Sequence, residues 1–412
     1  HIGWLFLVAG LLITISYTFV INSSLPKELV FTVMIMTIIP AAFNLYYATT
    51  YRVLLQTQQR EYVINIITMI TLGLGHLTNI LMIFLNGSMW MVRFITMVFA
   101  LFNSLLIAGY VKKNCGFLEL GNKKNNDVVI RGTADVMAQK ITGVFYNSAP
   151  IVFLSISPSG GTILASVYAV YNNVFAIMKS LLRGIIDAPR LGIGQILTES
   201  KRDEVWVIFA QYEYIAFFSI FVTMNTAYVL ILPFVFLYTS GVADTNYYDY
   251  KIALLMVLIS VIEMIHIPSG HLINMAGEFK VSKNFQVVSC IILIITMVIG
   301  GSKWGVYGLL VSVFIVAFLL AILEMGYVHV KFFPGKFFEM VRMLLPLFLV
   351  GIIACYVERL FFGEIEGVFM FIAAGFILIV VNTVIAVLLG LIFCRKEFTA
   401  TIKRGKRILF NK

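Results

Sequence analysis

The chain has 412 residues, of which 60% are hydrophobic and only 12% are charged, and its mean hydropathy is +0.97. Soluble domains carry about 25% charged residues, so this composition excludes an ordinary soluble fold and indicates a membrane protein. The net charge of +10 is explained mostly by membrane topology, with contact to anionic lipids as a modest addition, and it indicates no nucleic-acid partner.

Apolar stretches fill the sequence almost from end to end. Each is close to the ~20 residues that a helix needs to cross the hydrocarbon core, and none shows the short alternating segments of a membrane β-barrel. Twelve such stretches lie near 2–21, 28–48, 62–85, 90–111, 133–157, 161–183, 207–238, 250–273, 284–301, 304–327, 341–362 and 367–393. The sequence therefore predicts an all-α polytopic membrane protein with about twelve transmembrane helices.

Lysine and arginine collect in every second connection between these stretches and in the tail. The remaining connections and their helix ends hold only Lys27, Arg93, Lys251, Lys303 and Arg359. By the positive-inside rule, both ends of this chain and the basic connections are predicted to be cytoplasmic. The expected location is the cytoplasmic membrane, with the lipid bilayer as a partner.

The longest hydrophilic connection, 112–131, predicts a division into two lobes. An N-terminal lobe of four stretches, 1–111, precedes it, and a C-terminal lobe of six stretches, 132–327, follows. An extra helix pair, 328–393, and a basic tail, 394–412, complete the chain. Paired lobes of this kind are typical of transporters that work by alternating access.

Two turns that are predicted to be external have similar sequences. The Gly, Ser, Trp and Val residues of 86–92 recur in register in 300–306, and turns of similar character, 54–62 and 272–280, precede them. If this is a repeat rather than chance similarity, stretches one to four correspond to stretches seven to ten. The fifth and sixth stretches then lack a counterpart, so we expect that an N-terminal helix pair is missing.

Several runs of residues resemble one transporter family. They are 52–62 after the second stretch, 167–173 leading to 185–192, and the turn 276–278. In them the chain is similar to the polysaccharide transporter family, the O-antigen and capsule flippases of the multidrug/oligosaccharidyl-lipid/polysaccharide exporter superfamily. The resemblance implies two lobes around a central cavity and the translocation of polyprenyl-diphosphate-linked oligosaccharide for surface polysaccharide biosynthesis.

Ionisable side chains at membrane depth are costly unless they face a cavity or a partner, so each is a functional candidate. Lys140 lies about nine residues into the fifth stretch, ~14 Å at 1.5 Å per residue, too deep to reach the interface easily. We interpret it as a cavity cation that offsets the charge of the diphosphate. The alternative is a lysine that pairs with a neighbouring helix for packing alone.

The sixth stretch carries a second polar face. Lys179 and Arg183, four residues apart, share that face with Tyr168 and Asn172. Snorkelling to the cytoplasmic headgroups explains the two cations, whereas the functional interpretation is a cytoplasmic mouth that collects the diphosphate. Asn172 and Asn173 lie too deep for an interfacial belt, and together with Tyr168 they are candidates for hydrogen bonds to sugar hydroxyls.

Acidic and imidazole groups are candidates for coupling to H⁺ or Na⁺. Glu263 and His266, three residues apart, are predicted to share a helix face, where they could share a proton or bind a cation. A structural hydrogen bond to a neighbouring helix is the alternative. Asp135 is a third candidate, although solvation near the cytoplasmic end of its helix explains it as well.

Other functions fit the sequence less well. A drug or cation antiporter of the same architecture needs cavity carboxylates, and the deep set identified from the sequence has one, Glu263, beside Lys140. A membrane glycan polymerase or ligase needs a large external domain, whereas the longest external connection, around 241–250, is about a dozen residues. No catalytic triad, P-loop or CxxC spacing occurs, so no enzyme activity, metal site, cofactor or direct use of ATP is expected.

Overall fold

The computed structural model describes residues 2–21, 25–58, 60–114, 133–157, 161–199, 202–242, 244–363, 365 and 367–410. Within these ranges the regular secondary structure is entirely helical and contains no strand. Nine helical segments in them are long and apolar enough to cross a membrane. The chain is therefore an all-α polytopic membrane protein, as predicted.

The nine segments are fewer than the twelve apolar stretches of the sequence. The stretches 284–301 and 304–327 correspond to two parts of Phe279–Lys331, which counts as one of the nine, and the stretch 133–157 forms a helix that is not among the nine. The first apolar stretch, 2–21, forms the helix Ile2–Val20 of 19 residues, which is not among the nine either. The general architecture is thus confirmed, whereas the count of twelve is not.

The chain divides into two compact units, His1–Asn125 and Asn126–Lys412. The division falls inside the connection 112–131 that the sequence singles out. The C-terminal helix pair, which the sequence sets apart as 328–393, belongs to the second unit.

The first unit is a small helical bundle. Its elements are α1 (Ile2–Val20), α2 (Lys27–Phe43), a π-helical turn (Asn44–Ala48), α3 (Thr49–Thr57), α4 (Glu61–Phe84) and α5 (Met89–Asn114). Pro40 lacks an N–H and interrupts the hydrogen-bond ladder of α2, and the helix widens into the π turn shortly after it. Helix α5 packs against α2 and α4, and Leu55 and Ile107 are fully buried in the small core.

The second unit contains the larger core. Its elements are α6 (Thr133–Ile156), α7 (Gly161–Asp187), α8 (Arg190–Glu199), α9 (Arg202–Thr239), α10 (Tyr250–Ile265), α11 (Ile267–Met275), α12 (Phe279–Lys331), α13 (Phe337–Phe362), α14 (Val368–Phe393) and α15 (Arg395–Phe410). Helix α9 is the central element, because α7, α10, α13 and α14 all pack against it. Tyr171, Phe175, Phe209 and Phe217 fill the space between these helices.

Helix α12 is a hairpin of two helical halves. Gly305 has φ 57° and ψ −133°, a conformation that is essentially confined to glycine. It breaks the helix at the second residue of the predicted stretch 304–327. A Cβ on Gly308 would lie 2.0 Å from the carbonyl oxygen of Gly300. Residues eight apart in a straight helix are ~12 Å apart, so the two halves fold back and their backbones touch.

The turns of the predicted repeat are not equivalent in structure. The left-handed residue is Asn86 in the first turn (φ 55°) and Gly305 in the second. The sequence register aligns Asn86 with Gly300 instead, so the chain does not reverse at matching positions. The internal repeat stays a prediction.

Candidate functional site

Three helices of the second unit converge on one carboxylate. Glu263 of α10 accepts a hydrogen bond from Tyr146 Oη of α6, with 2.8 Å between Oη and Oε1. Lys179 Nζ of α7 lies 2.7 Å from the other carboxylate oxygen, and 17% and 16% of the Lys179 and Glu263 side chains are exposed. Both oxygens of Glu263 therefore have partners, one of them a cation.

The ion pair lies deep within the membrane-spanning segments. Glu263 is thirteen residues from the start and twelve from the end of the segment Tyr250–Met275, which places it ~18–20 Å from either end. Lys179 is eight residues before the end of α7 at Asp187. Snorkelling to the headgroups therefore does not describe Lys179, because its amine is held by Glu263.

Glu263 and His266 do not form the pair that their spacing predicts. His266 stands between α10 and α11 with φ −88° and ψ −8°, and Pro268 follows without an N–H, so the regular i, i+3 geometry ends here. His266 Nδ1 lies 2.8 Å from Glu324 Oε2 of α12. Gly270 leaves room for this carboxylate, since a Cβ there would lie 2.6 Å from Glu324 Oε2.

A small cavity adjoins the ion pair. Besides Lys179 and Glu263 it is lined by Asn147, Tyr168 and Asn172, so two of the predicted sugar-binding residues join the cluster. Its volume of about 20 Å³ is enough for roughly one water molecule. A sugar can enter only if the surrounding helices separate.

Three other predicted residues do not belong to this cluster. Lys140, Asn173 and Arg183 are exposed. Lys140 shares its exposed surface of α6 with Ile141 and Val144, which are 59% and 67% exposed. Among the residues that the structure describes, Lys140 has no hydrogen bond or ion pair. Its predicted role as a cavity cation stays a prediction.

Asp135 is accounted for by a local ion pair. Its Oδ1 lies 2.5 Å from Lys283 Nζ, and 27% of each side chain is exposed. This contact ties the start of α6 to the first half of α12. It gives Asp135 a structural role that needs no coupling ion.

The structure buries more carboxylates than the sequence indicates. The sequence identifies Glu263 alone as deep, but Glu213, Glu324 and Glu358 are only 0%, 3% and 6% exposed. Each lies within several residues of the end of an apolar stretch, so its position along the chain suggests contact with water. Their burial depends on neighbouring helices, which no single stretch reveals.

A larger groove lies on another face of α10. It has a volume of about 1000 Å³ and is bounded by residues of α9, α10 and α13. Its walls are mainly apolar, for example Leu258 and Phe348, while Tyr228, Tyr250 and Arg359 line one end. The Arg359 guanidinium lies 4.3 Å from the centre of the Tyr250 ring, a cation–π contact. The groove thus combines an apolar trough with a positive end.

No protein-family model matches the sequence, and no curated protein matches it.

Proposed function

We propose that the chain is a flippase that moves polyprenyl-diphosphate-linked oligosaccharide from the cytoplasmic to the outer leaflet for surface polysaccharide biosynthesis. The observation that carries this proposal is the ion pair of Lys179 and Glu263 in the middle of the membrane-spanning helices. An anionic headgroup that crosses a low-dielectric region needs a cation at that depth, and Lys179 supplies one.

The arrangement supports an exchange of partners. Glu263 neutralises Lys179, so this pair leaves no unpaired charge in the cluster. A diphosphate offers several acceptor oxygens and more negative charge than one carboxylate, so it competes for the ammonium. The displaced Glu263 keeps its hydrogen bond from Tyr146 and can take up a proton.

The polar head and the polyprenyl chain of the substrate suit different features of the second unit. The polar cluster with Tyr168 and Asn172 suits the diphosphate and the first sugar. The apolar groove on α9, α10 and α13 suits the polyprenyl chain, which favours contact with apolar side chains. Helix α10 separates the two features and takes part in both.

Alternating access requires the small cavity to open. The break at His266 and Pro268 places an interruption in the hydrogen-bond ladder within one turn of Glu263. Interrupted membrane helices are tolerated where neighbouring groups satisfy the freed backbone, and they provide a point about which a helix can bend. We propose H⁺ or Na⁺ as the coupling ion.

Transbilayer movement tests the proposal. The purified chain is reconstituted in vesicles with a fluorescent polyprenyl-diphosphate oligosaccharide, and a membrane-impermeant quencher reports which leaflet holds the label. We expect Lys179→Gln to slow movement at least about tenfold, the equivalent of ~1.4 kcal/mol, and Lys179→Arg to retain part of the rate. Lys336→Gln is the matched control, because it also removes one member of an ion pair, 2.7 Å from Glu339. Wild-type rates in Lys179→Gln would contradict the proposal.

A drug or cation antiporter of the same architecture is the second candidate. The four carboxylates at Glu213, Glu263, Glu324 and Glu358 favour it, because buried negative charge attracts cations. Efflux of a fluorescent organic cation from the same vesicles decides between the two. Cation efflux without movement of the labelled lipid would replace the first proposal with this one.

A further inference from the structure

A second pair of ionisable side chains is buried between α9 and the end of α12. Glu213 of α9 and His329 of α12 have 1% and 0% of their side chains exposed, and His329 Nε2 lies 3.6 Å from Glu213 Oε2. Within the described part of the chain, none of Glu213 Oε1, Glu213 Oε2 and His329 Nε2 has a hydrogen-bond partner. A gap of 3.6 Å has no room for a bridging water molecule.

The protonation of the imidazole follows from its other nitrogen. His329 Nδ1 lies 2.8 Å from the carbonyl oxygen of Met325. Because a carbonyl only accepts hydrogen bonds, Nδ1 carries a proton and donates it. A neutral His329 then turns a bare Nε2 towards Glu213. An ionised Glu213 beside that nitrogen would place two acceptors face to face, so a proton belongs between them.

The charge of the buried pair also indicates that it holds one proton. With no shared proton the pair has a buried charge of −1, and with two protons it has a buried charge of +1. One proton makes the pair neutral overall, either as imidazolium and carboxylate or as imidazole and carboxylic acid. An uncompensated buried charge costs several kcal/mol, so the buried pair holds one proton.

Aromatic rings enclose the site. The ring centres of Trp206, Phe209 and Phe337 lie 5.8 Å, 6.4 Å and 6.2 Å from that of His329. With the His329 side chain 0% exposed, the imidazole does not contact water, so the proton exchanges only when the surrounding helices move.

Lys140 of α6 is exposed and has no hydrogen bond or ion pair among the described residues. Several other charged and titratable groups on the elements that pack against α9 and α12 have contacts of their own. On α13, Glu339 contacts Lys336 and Trp206, and Arg342 contacts Glu397 of α15. His271 of α11 contacts Tyr212 and Asp187 of α7, Glu263 of α10 contacts Lys179, and His266 contacts Glu324. Asp135 of α6 contacts Lys283, and Lys331 contacts Glu278 and Tyr327. None of these hydrogen bonds or ion pairs includes Glu213 or His329.

We propose that Glu213 and His329 form a binding site for one proton, and that this proton is the coupling ion of the transport. The first statement depends only on the geometry of the pair, and the second rests on the proposed function. When the site opens to one side of the membrane, the pair releases its proton to water. When it opens to the other side it takes up a proton from water, and no other bond changes.

Infrared difference spectroscopy tests the proton site without any substrate. The whole chain in lipid is titrated, and the bands of carboxylic acid and imidazolium are followed. We expect a one-proton change in the wild type that is absent in Glu213→Gln. In His329→Gln the Glu213 carboxyl group titrates alone, so the change is confined to the carboxylic acid band. Glutamine keeps the shape of Glu213, and its amide N–H can donate to His329 Nε2. Glu358→Gln is the control, a buried glutamate in α13 with a bond from Asn382. The same titration in Glu213→Gln as in the wild type would overturn the site.

Vesicles with a pH gradient test the coupling. One coupled proton allows up to about tenfold accumulation of labelled lipid per pH unit. We expect accumulation in the wild type and in Glu358→Gln, and a ratio near one in Glu213→Gln. Undiminished accumulation in Glu213→Gln would overturn the coupling role alone. Absence of any lipid movement in the wild type would contradict the proposed function and the coupling role together, while the infrared titration still decides the proton site.

Discussion

The interaction between Lys179 and Glu263 has a predicted size that a double-mutant cycle measures. Removing one member of a buried ion pair costs roughly 3–5 kcal/mol, because the other charge is left unpaired. About one sixth of each side chain is exposed, and Tyr146 still donates to Glu263, so the cost belongs at the lower end of that range. We expect Lys179→Met to lower the free energy of unfolding by ~3 kcal/mol.

The double variant Lys179→Met with Glu263→Gln leaves no unpaired charge and recovers most of that loss. The coupling energy is then ~2–3 kcal/mol, which unfolding by SDS titration in micelles measures. The cycle for Lys336 and Glu339 is the control: both side chains are 37% exposed, so its coupling energy stays below ~1 kcal/mol. Additive effects of Lys179→Met and Glu263→Gln, within ~0.5 kcal/mol, would refute the reasoning.

Two further predictions concern the α12 hairpin. Gly308→Ala places a methyl group against the backbone of Gly300, so we expect a loss of ~1–3 kcal/mol in the free energy of unfolding. Gly326→Ala is the control and should cost no stability, because the added Cβ meets no atom within 4 Å. Equal stability of the two variants would contradict the close approach of Gly300 and Gly308. At the base of the hairpin, the Glu278 carboxyl accepts hydrogen bonds from Lys331 and from Tyr327. These bonds, the one from Lys331 above all, hold the pKa of Glu278 below its usual range. Because the folded pKa is depressed, the stabilisation is present at neutral pH and is lost as pH falls below ~5. The difference in melting temperature between the wild type and Glu278→Gln should therefore shrink on acidification. A difference that does not depend on pH would refute the stabilising role of ionised Glu278.

The helical architecture was predictable because continuous apolar length is a local property. The break at Gly305 lies next to the boundary that the sequence places between 301 and 304, at the second residue of the stretch 304–327. The division within 112–131 was visible too, since that connection is long and polar. The number of membrane spans was less predictable, because α6 combines apolar residues with Asp135 and Lys140.

The partners of the intramembrane charges were not predictable, because they come from distant parts of the chain. Lys179 and Glu263 are 84 positions apart, and His266 and Glu324 are 58 apart. Depth along one helix identified Glu263 as important but placed Lys179 at the interface. Tyr146 could have been noticed as a hydroxyl at the midpoint of an apolar stretch.

The pairing of Glu213 with His329 was even harder to predict from the sequence. Both stand near the ends of apolar stretches, where a polar side chain normally meets water. Side chains from several helices, among them Trp206 and Phe209, pack around the pair and exclude that water. Their separation of more than 100 positions hides the pair from any local pattern.

The central claim is that Lys179 binds the diphosphate of a lipid-linked oligosaccharide, and equilibrium binding tests it most directly. The measurement is the dissociation constant of the labelled lipid for the purified chain in micelles, for the wild type, Lys179→Gln and Lys336→Gln. A charge-assisted contact is worth ~1.5–3 kcal/mol, so Lys179→Gln should bind about tenfold to a hundredfold more weakly while Lys336→Gln binds like the wild type. Equal affinity of Lys179→Gln and the wild type would contradict the claim.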